Sequence, residues 1–331
     1  MPGIRALYLH VPFCARRCRY CDFSTAATRH GDERMGEYAR SLSNLASEAR
    51  ELGVLGDLAT AYVGGGTPTM LGSASLALLL DACGPGISEL TFEANPESLS
   101  DDILIRAREH GATRVSIGVQ SFDDRELAAL GRIHDAGLAR RRVAAAVASG
   151  LDVSVDLMCG IPYQTPASWR CSLETAVGLG VGHVSCYPLM IEPDTPMERL
   201  CEDGRLPWPS DDTEASDMEA ALDVLGQAGF ARYEVASYAK PQRRCAHNIA
   251  YWTGVPYLGI GTSAATMTQN SERRMRMTDG SVTDDLNAEQ MVAEDLMLGM
   301  RMTRGVSGEK IAEARLVLPH LDETIDKLVG E

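Results

Sequence analysis

The sequence predicts an α/β protein: a partial (β/α)6-type barrel of the TIM kind, followed by a small, mostly helical C-terminal domain. Three observations carry that expectation. Short β-rich runs alternate with amphipathic stretches through most of the chain, the signature of a parallel sheet wrapped by helices. Unusual residues cluster where the strand segments end, which is where a barrel gathers its site. Beyond Tyr257 the alternation gives way to helical patterning.

Strands are expected at Ala6–His10, Thr60–Val63, Leu90–Glu93, Arg114–Val119, Val153–Leu157, His183–Leu189 and Ala231–Val235. Helices are expected at Met35–Leu52, Ser75–Cys83, Asp101–His110, Gly137–Ser149, Ala167–Gly178 and Thr213–Ala228. In the first of these, Tyr38, Leu42, Leu45, Ala46, Ala49 and Leu52 recur at three-to-four spacing and share a face. A cysteine loop follows the first strand, and Gly64-Gly65-Gly66-Thr67-Pro68-Thr69 follows the second. Glu93-Ala94-Asn95-Pro96 closes the third, Gln120-Ser121-Phe122 the fourth, and Asp156 with Cys159-Gly160-Ile161-Pro162 the fifth. A Rossmann sheet would concentrate such chemistry at one switch point instead. After Gly259-Ile260-Gly261, Arg273–Thr278 reads as an irregular basic strand or loop. Helices follow at Asn287–Met302, Ser307–Arg315 and Leu321–Val329. The division is expected between a core, 1–265, and a small helical domain, 266–331.

The 331 residues carry a net charge of −15, are 45% hydrophobic and 23% charged. Such an acidic chain is repelled by phosphate backbones, which argues against nucleic acid as the main partner. No run of about 18 apolar residues exists to span a membrane. The N-terminus lacks the apolar core and cleavage pattern of a signal peptide, so a cytoplasmic location is expected. Of the nine cysteines, three crowd into Cys14-Ala-Arg-Arg-Cys18-Arg-Tyr-Cys21. The other six (Cys83, Cys159, Cys171, Cys186, Cys201, Cys245) are scattered and read as small buried hydrophobes.

Three thiolates in one loop select zinc, copper(I) or an iron–sulfur cluster. Structural zinc wants four ligands in two pairs, so His10 or His30 would have to complete a zinc site. Three ligands on a four-iron cubane leave one iron open, which suits a cluster that binds something. Arg16, Arg17 and Arg19 are expected to lower the thiol pKa values and offset cluster charge.

The C-x3-C-x2-C loop after a first strand, with Tyr20 before the last cysteine, resembles the radical S-adenosylmethionine (SAM) superfamily. That resemblance implies a [4Fe-4S] cluster on Cys14, Cys18 and Cys21, with SAM chelated to the fourth iron and cleaved on reduction to methionine and a 5′-deoxyadenosyl radical. The GGGTPT stretch is similar to the segment that holds the SAM amino group there. Tyr8–Cys14, Gly64–Thr69, Glu93–Glu97, Ser116–Phe122, Leu130–His134 and Asp156–Pro162 together resemble the coproporphyrinogen dehydrogenase/HemW branch. The resemblance implies a SAM pocket of Tyr8, Phe23, Gly65, Gly66, Thr67, Glu93, Gln120, Arg132 and Asp156.

Two functions occur in that branch: oxidative decarboxylation of coproporphyrinogen III, and heme binding by a chaperone. The dehydrogenase has a further cysteine two places after the third, where this chain has Phe23, and a long extension before its cysteines, where this chain has thirteen residues. His247-Asn248-Ile-Ala-Tyr251-Trp252 matches the HNxxYW motif of the chaperones. The resemblance thus implies a heme chaperone, with heme or another tetrapyrrole as cargo and His247 as the candidate heme ligand. The dehydrogenase, or another tetrapyrrole-acting radical enzyme, is the alternative. Ala265 stands where the family usually has a histidine, and the last helix stops short of the family's usual length. The first departure bears on the heme end; the second implies a small domain that is incomplete or a protein that is naturally short. Arg16, Arg17 and Arg19 are also expected to dock an acidic, flavodoxin-type electron donor.

Overall fold

The computed structural model describes residues 3–330. Its strands are β1 (Ile4–Val11), β2 (Phe13–Cys14), β3 (Ala26–Ala27), β4 (Leu55–Gly65), β5 (Glu89–Ala94), β6 (Arg114–Gln120), β7 (Asp152–Cys159) and β8 (His183–Pro188). They continue with β9 (Ala231–Arg232), β10 (Ser237–Ala239), β11 (Tyr257–Ile260), β12 (Ala265–Gln269), β13 (Arg273–Thr278) and β14 (Ser281–Asn287). One sheet runs in the order β14-β13-β12-β11-β1-β4-β5-β6-β7-β8-β10-β9. From β11 to β8 every neighbouring pair is parallel. The two ends of that order are not paired, so the barrel is open. Helices α1 (Glu33–Glu51), α2 (Gly72–Cys83), α3 (Asp101–Glu109), α4 (Asp124–Leu130), α5 (Ala136–Ala148), α6 (Pro166–Gly178), α7 (Pro196–Glu202) and α8 (Asp211–Gln227) fill the first part of the chain. α9 (Ala246–Trp252), α10 (Ala288–Met300), α11 (Gly308–Val317) and α12 (Leu321–Gly330) complete it.

The core lies between the sheet and the helices. Leu7, Leu9, Ala61, Val63, Leu90, Phe92, Val115, Ile117, Val153, Val155 and Val184 alternate along their strands and join one apolar cluster with Leu42, Leu79, Leu80, Ile103, Val143, Trp169 and Leu173 from the helices. Each fully buried side chain of this size contributes about 1.5–3 kcal/mol. The residues between them on the same strands face the other way, into the barrel.

The model departs from expectation in the second half. Ala231–Val235 is not one strand: β9 is two residues long and pairs with β10, itself antiparallel to β8. Tyr257–Ile260, expected to end the βα region, adds a parallel strand beside β1. Arg273–Thr278 is, as expected, an irregular basic strand: it lies in an antiparallel meander of β12, β13 and β14, and its register to β14 shifts between Arg276 and Met277. Its basic residues are matched by acids: buried Arg274 pairs with Glu294 and with Asp295 at 2.7 Å, and Arg276 with Glu294 at 2.7 Å. The 265/266 division therefore falls at the first residue of β12, inside a continuous sheet. Among the described residues no helix is long and apolar enough to cross a membrane.

Arg274 is the buried tie between β13 and α10. Replacing it with Leu leaves Asp295 without its partner and Glu294 held by Arg276 alone. Breaking a fully buried pair costs about 3–5 kcal/mol, and less here because Asp295 is partly exposed and Glu294 keeps one partner. Hydrogen exchange should show early loss of protection across α10, with the parallel strands unaffected; uniform protection would refute this tie.

Candidate cofactor site at the barrel mouth

The inward residues of the parallel strands enclose a cavity of about 480 Å3. Cys14, Cys18 and Cys21 all line its mouth and are free thiols. Among the described residues no three His, Cys, Asp or Glu side chains are grouped to hold a single metal ion. The thiols are instead spread around an opening, with donors aimed at two of the sulfurs. Arg132 Nη1 donates to Cys18 Sγ at 3.3 Å, and Thr67 Oγ1 donates to Cys14 Sγ at 3.5 Å. Asn95 joins these donors: its Oδ1 accepts from Arg132 Nη2 at 2.6 Å, and its Nδ2 donates to Thr67 Oγ1 at 2.8 Å. A continuous chain of side chains thus links two of the cysteines. Donors to sulfur stabilise thiolate charge and tune a cluster, so the residues present fit a cubane held by three cysteines.

Local structure fixes this geometry. α4 ends at Gly131, whose φ of 76° is the left-handed turn that terminates helices, and Arg132 N donates back to Leu127 O at 2.9 Å. That turn delivers Arg132 to the cavity. Arg19 latches the cysteine loop to the same helix end: its N donates to Leu130 O at 3.0 Å and its Nη1 to the carbonyls of Ala128 and Ala129 at 3.1 Å. The glycine turn is required by the protein itself. Gly66 N donates to Val11 O and Thr67 N to Phe13 O, at 2.8 and 2.7 Å. A Cβ on Gly66 would sit 2.8 Å from the Phe13 carbonyl oxygen, and Gly65 has a φ of 113°.

Below the thiols stand two buried carboxylates. Glu93 accepts from Tyr62 Oη at 2.8 Å and from Gly65 N at 2.9 Å; burial nevertheless pushes it up to about 7. Asp156 accepts from Ser116 Oγ at 3.4 Å, and burial raises it to about 6. Gln120 sits at a φ of 68° where the β6–β7 register shifts, and a break of this kind re-aims a side chain. Its Oε1 accepts from Tyr187 Oη at 3.2 Å. Two acids, an amide and a guanidinium beside an apolar lip at Phe23 offer partners for an amine, a sugar diol and a carboxylate.

Phe23, Gly65, Gly66, Glu93, Gln120, Arg132 and Asp156 line the cavity. Tyr8 and Thr67 do not: Tyr8 Oη bonds His10 Nδ1 at 3.1 Å, and Thr67 serves Cys14. His247 is 1% exposed and lies outside the lining. Its Nδ1 bonds Thr60 Oγ1 and its Nε2 bonds Tyr251 Oη, both at 3.0 Å, and its ring stacks on Tyr62. Burial pushes it down to about 3, so it is neutral with both nitrogens occupied. In this arrangement His247 packs α9 against β4. Of the loop arginines, Arg17 lowers the Cys21 thiol as expected, but burial outweighs it: Cys21 is raised and the Cys14 thiol is pushed up to about 11. Arg17 bonds the Cys21 carbonyl, Arg19 is structural, and Arg132 is the guanidinium on a sulfur.

Sequence reasoning missed Tyr62, Asn95, Arg114, Ser116, Ser154, His183, Ser185, Tyr187 and Asn248, which also line the cavity. A signal existed. Parallel strands buried on both faces read as continuous apolar runs, whereas Arg114-Val-Ser-Ile-Gly-Val-Gln120 and His183-Val-Ser-Cys-Tyr187 alternate polar and apolar. Alternation in a parallel sheet marks a polar lumen.

An open parallel barrel with three cysteine thiols and a glycine turn at its mouth defines a radical SAM protein. The chain matches the model of the Radical SAM superfamily over residues 8–176, and it belongs to that superfamily. It is 32% identical over 335 residues to the Heme chaperone HemW of Bacillus subtilis (strain 168), covering 94% of this chain and 86% of that one. It is 35% identical over 361 residues to the Heme chaperone HemW of Mycobacterium tuberculosis (strain ATCC 25618 / H37Rv), covering 99% and 92%. Its fold resembles the coproporphyrinogen III oxidase (HemN) of Escherichia coli, with a TM-score of 0.75 and 21% identity over 91% of this chain and 76% of that one. Within the superfamily, the chain belongs to the oxygen-independent coproporphyrinogen III oxidase/HemW family.

The raised carboxylates set a pH dependence. If Glu93 and Asp156 bind SAM as anions, affinity falls as pH drops through about 7 and then about 6. One protonation amounts to about tenfold at one unit below its pKa. Titrating the cluster-loaded protein with SAM between pH 8 and 6 should show this weakening, and Glu93→Gln should bind less tightly with a flatter upper limb. The metal-free chain moves oppositely: a raised carboxyl takes up its proton in the folded state first, so folding stability rises as pH falls through about 7. A SAM affinity constant across this range would refute the assignment.

Proposed function

We propose that this chain is a HemW-like heme chaperone carrying a SAM-binding four-iron cluster at its barrel mouth. The observation that carries the reading is the likeness to curated heme chaperones at 32–35% identity over 94–99% of the chain. Phe23 supports it: 63% exposed at the cavity lip, it occupies the position of the dehydrogenase's further cysteine. The shared fold with coproporphyrinogen III oxidase keeps radical decarboxylation as the second reading.

Cys14, Cys18 and Cys21 hold the cluster, which when bound supplies one-electron reducing power and an open iron position. Arg132 and Thr67 stabilise the charge on two of its thiolates, with Asn95 holding both donors in place. Glu93, Asp156 and Gln120 orient the amine and ribose of SAM, and Gly65 and Gly66 let its backbone-facing edge approach. Exposed Arg16 and Arg17 are the part of the cysteine loop free to meet an acidic, flavodoxin-type donor. Heme is the cargo. His247 is committed to Thr60 and Tyr251, so heme capture does not run through it while α9 stays docked.

An anaerobic heme titration of the cluster-loaded protein tests this. Saturable, near-stoichiometric binding without decarboxylation of coproporphyrinogen III is expected; SAM-dependent decarboxylation would establish the second reading instead. His247→Ala removes two buried hydrogen bonds and a packed ring, at about 2–4 kcal/mol. It should lower the unfolding midpoint while the folded fraction keeps its heme stoichiometry.

A further inference from the structure

A TIM-type barrel is ordinarily filled by layers of branched apolar side chains. Here small polar residues leave the lumen hollow from the cysteine loop down to the first residues of β6 and β8. At that closed end lies Arg114. It is 3% exposed and lines the cavity, and among the described residues its side chain has one hydrogen-bond partner, the Arg243 carbonyl, which accepts from Nη1 at 3.0 Å. Among the described residues no Asp or Glu forms an ion pair with it. A buried, unpaired guanidinium costs several kcal/mol unless something compensates.

Its neighbours compensate only in part. Glu89 accepts from Ala246 N, His247 N and Cys245 Sγ, and so is committed to the start of α9. Asp156 accepts from Ser116 nearer the mouth and feels the Arg114 charge only through space, with no hydrogen bond between them. His183 is held neutral by burial, with Ser154 Oγ at 2.7 Å and Tyr233 Oη at 2.9 Å on its two nitrogens. A second, independent vacancy in hydrogen bonding adjoins it. Thr91, in register with Arg114 on β5, is completely buried and its Oγ1 has no partner.

We propose that the closed end of the lumen is a subsite for a short aliphatic carboxylate, paired with Arg114 and separate from the SAM site at the mouth. A carboxylate supplies the missing negative charge and accepts the remaining guanidinium protons in the planar geometry that arginine favours. Ser116, Ser154 and Ser185 line the same cavity and give the carboxylate's approach to Arg114 a polar wall. The site stands on the barrel alone and is independent of the heme reading.

The test uses cluster-loaded protein, anaerobically, with sodium propionate as the probe, read by the thermal midpoint. Sodium chloride at equal ionic strength and propanamide are the controls. A ligand that binds only the folded state raises the midpoint saturably. The expected result is a saturable rise with propionate and none with either control, persisting when SAM is bound. Arg114→Met should abolish the rise and Arg114→Lys retain part of it. Should the methionine variant not fold, Arg114→Lys carries the test, with propionate affinity expected to fall several-fold. No saturable rise in the native protein, an equal rise with chloride, or loss of the rise on adding SAM would each overturn the proposal. The last would assign Arg114 to SAM itself.

Discussion

The two-residue alternation along the parallel strands is the constraint on which the rest of the structure depends. Residues pointing outward from the barrel are Val, Leu, Ile, Phe and Ala, and they join the helices in a single core. Residues pointing inward are mostly polar, with serines at Ser116, Ser154 and Ser185. A parallel sheet gains its hydrophobic stabilisation from whichever face meets the helices. Here that is the outer face alone, and the lumen is left to satisfy polar groups and hold ligands. The cavity is thus a direct outcome of strand patterning rather than a defect of packing.

A polar lumen works only if its buried groups find partners. Near the mouth they do: Tyr62 and a backbone N–H serve Glu93, Ser116 serves Asp156, and Arg132 bridges Cys18, Asn95 and the Gly118 carbonyl. These contacts also couple elements far apart in sequence. The cysteine loop after β1 is held by the end of α4 through Arg19 and Arg132, and by the glycine turn after β4 through Thr67. The thiols are consequently positioned by two strand ends and a helix end at once. At the opposite end, Arg114 and Thr91 remain short of partners, which makes that region chemically distinct.

The HNxxYW segment acquires a structural meaning in this setting. α9 begins on the Glu89 carboxylate, inserts His247 between Thr60 and Tyr251, and presents Asn248 to the cavity. It stops the lower end of an open barrel whose sheet does not close on itself. The imidazole's stacking on Tyr62 ties this stopper to the strand that also carries the glycine turn. A motif that reads as a ligand by its residue types is here used for closure.

By itself the sequence determined the repeating strand–helix order, the three thiols within one loop after the first strand, and the polar residues at successive strand ends. These are local: they follow from periodicity, spacing and side-chain chemistry over a few residues. The tertiary structure decided which of them share a cavity. Glu93, Gln120, Arg132 and Asp156 line the lumen, while Tyr8 turns to His10, Arg19 to the end of α4 and His247 to Thr60. It also decided that basic Arg273–Thr278 is a strand within an antiparallel meander rather than a loop, because the acids that neutralise it lie on a later strand and helix. A side chain's partner depends on strand register and helix docking across tens to hundreds of residues. Spacing along the chain carries the chemistry of each group but not which other group it will meet.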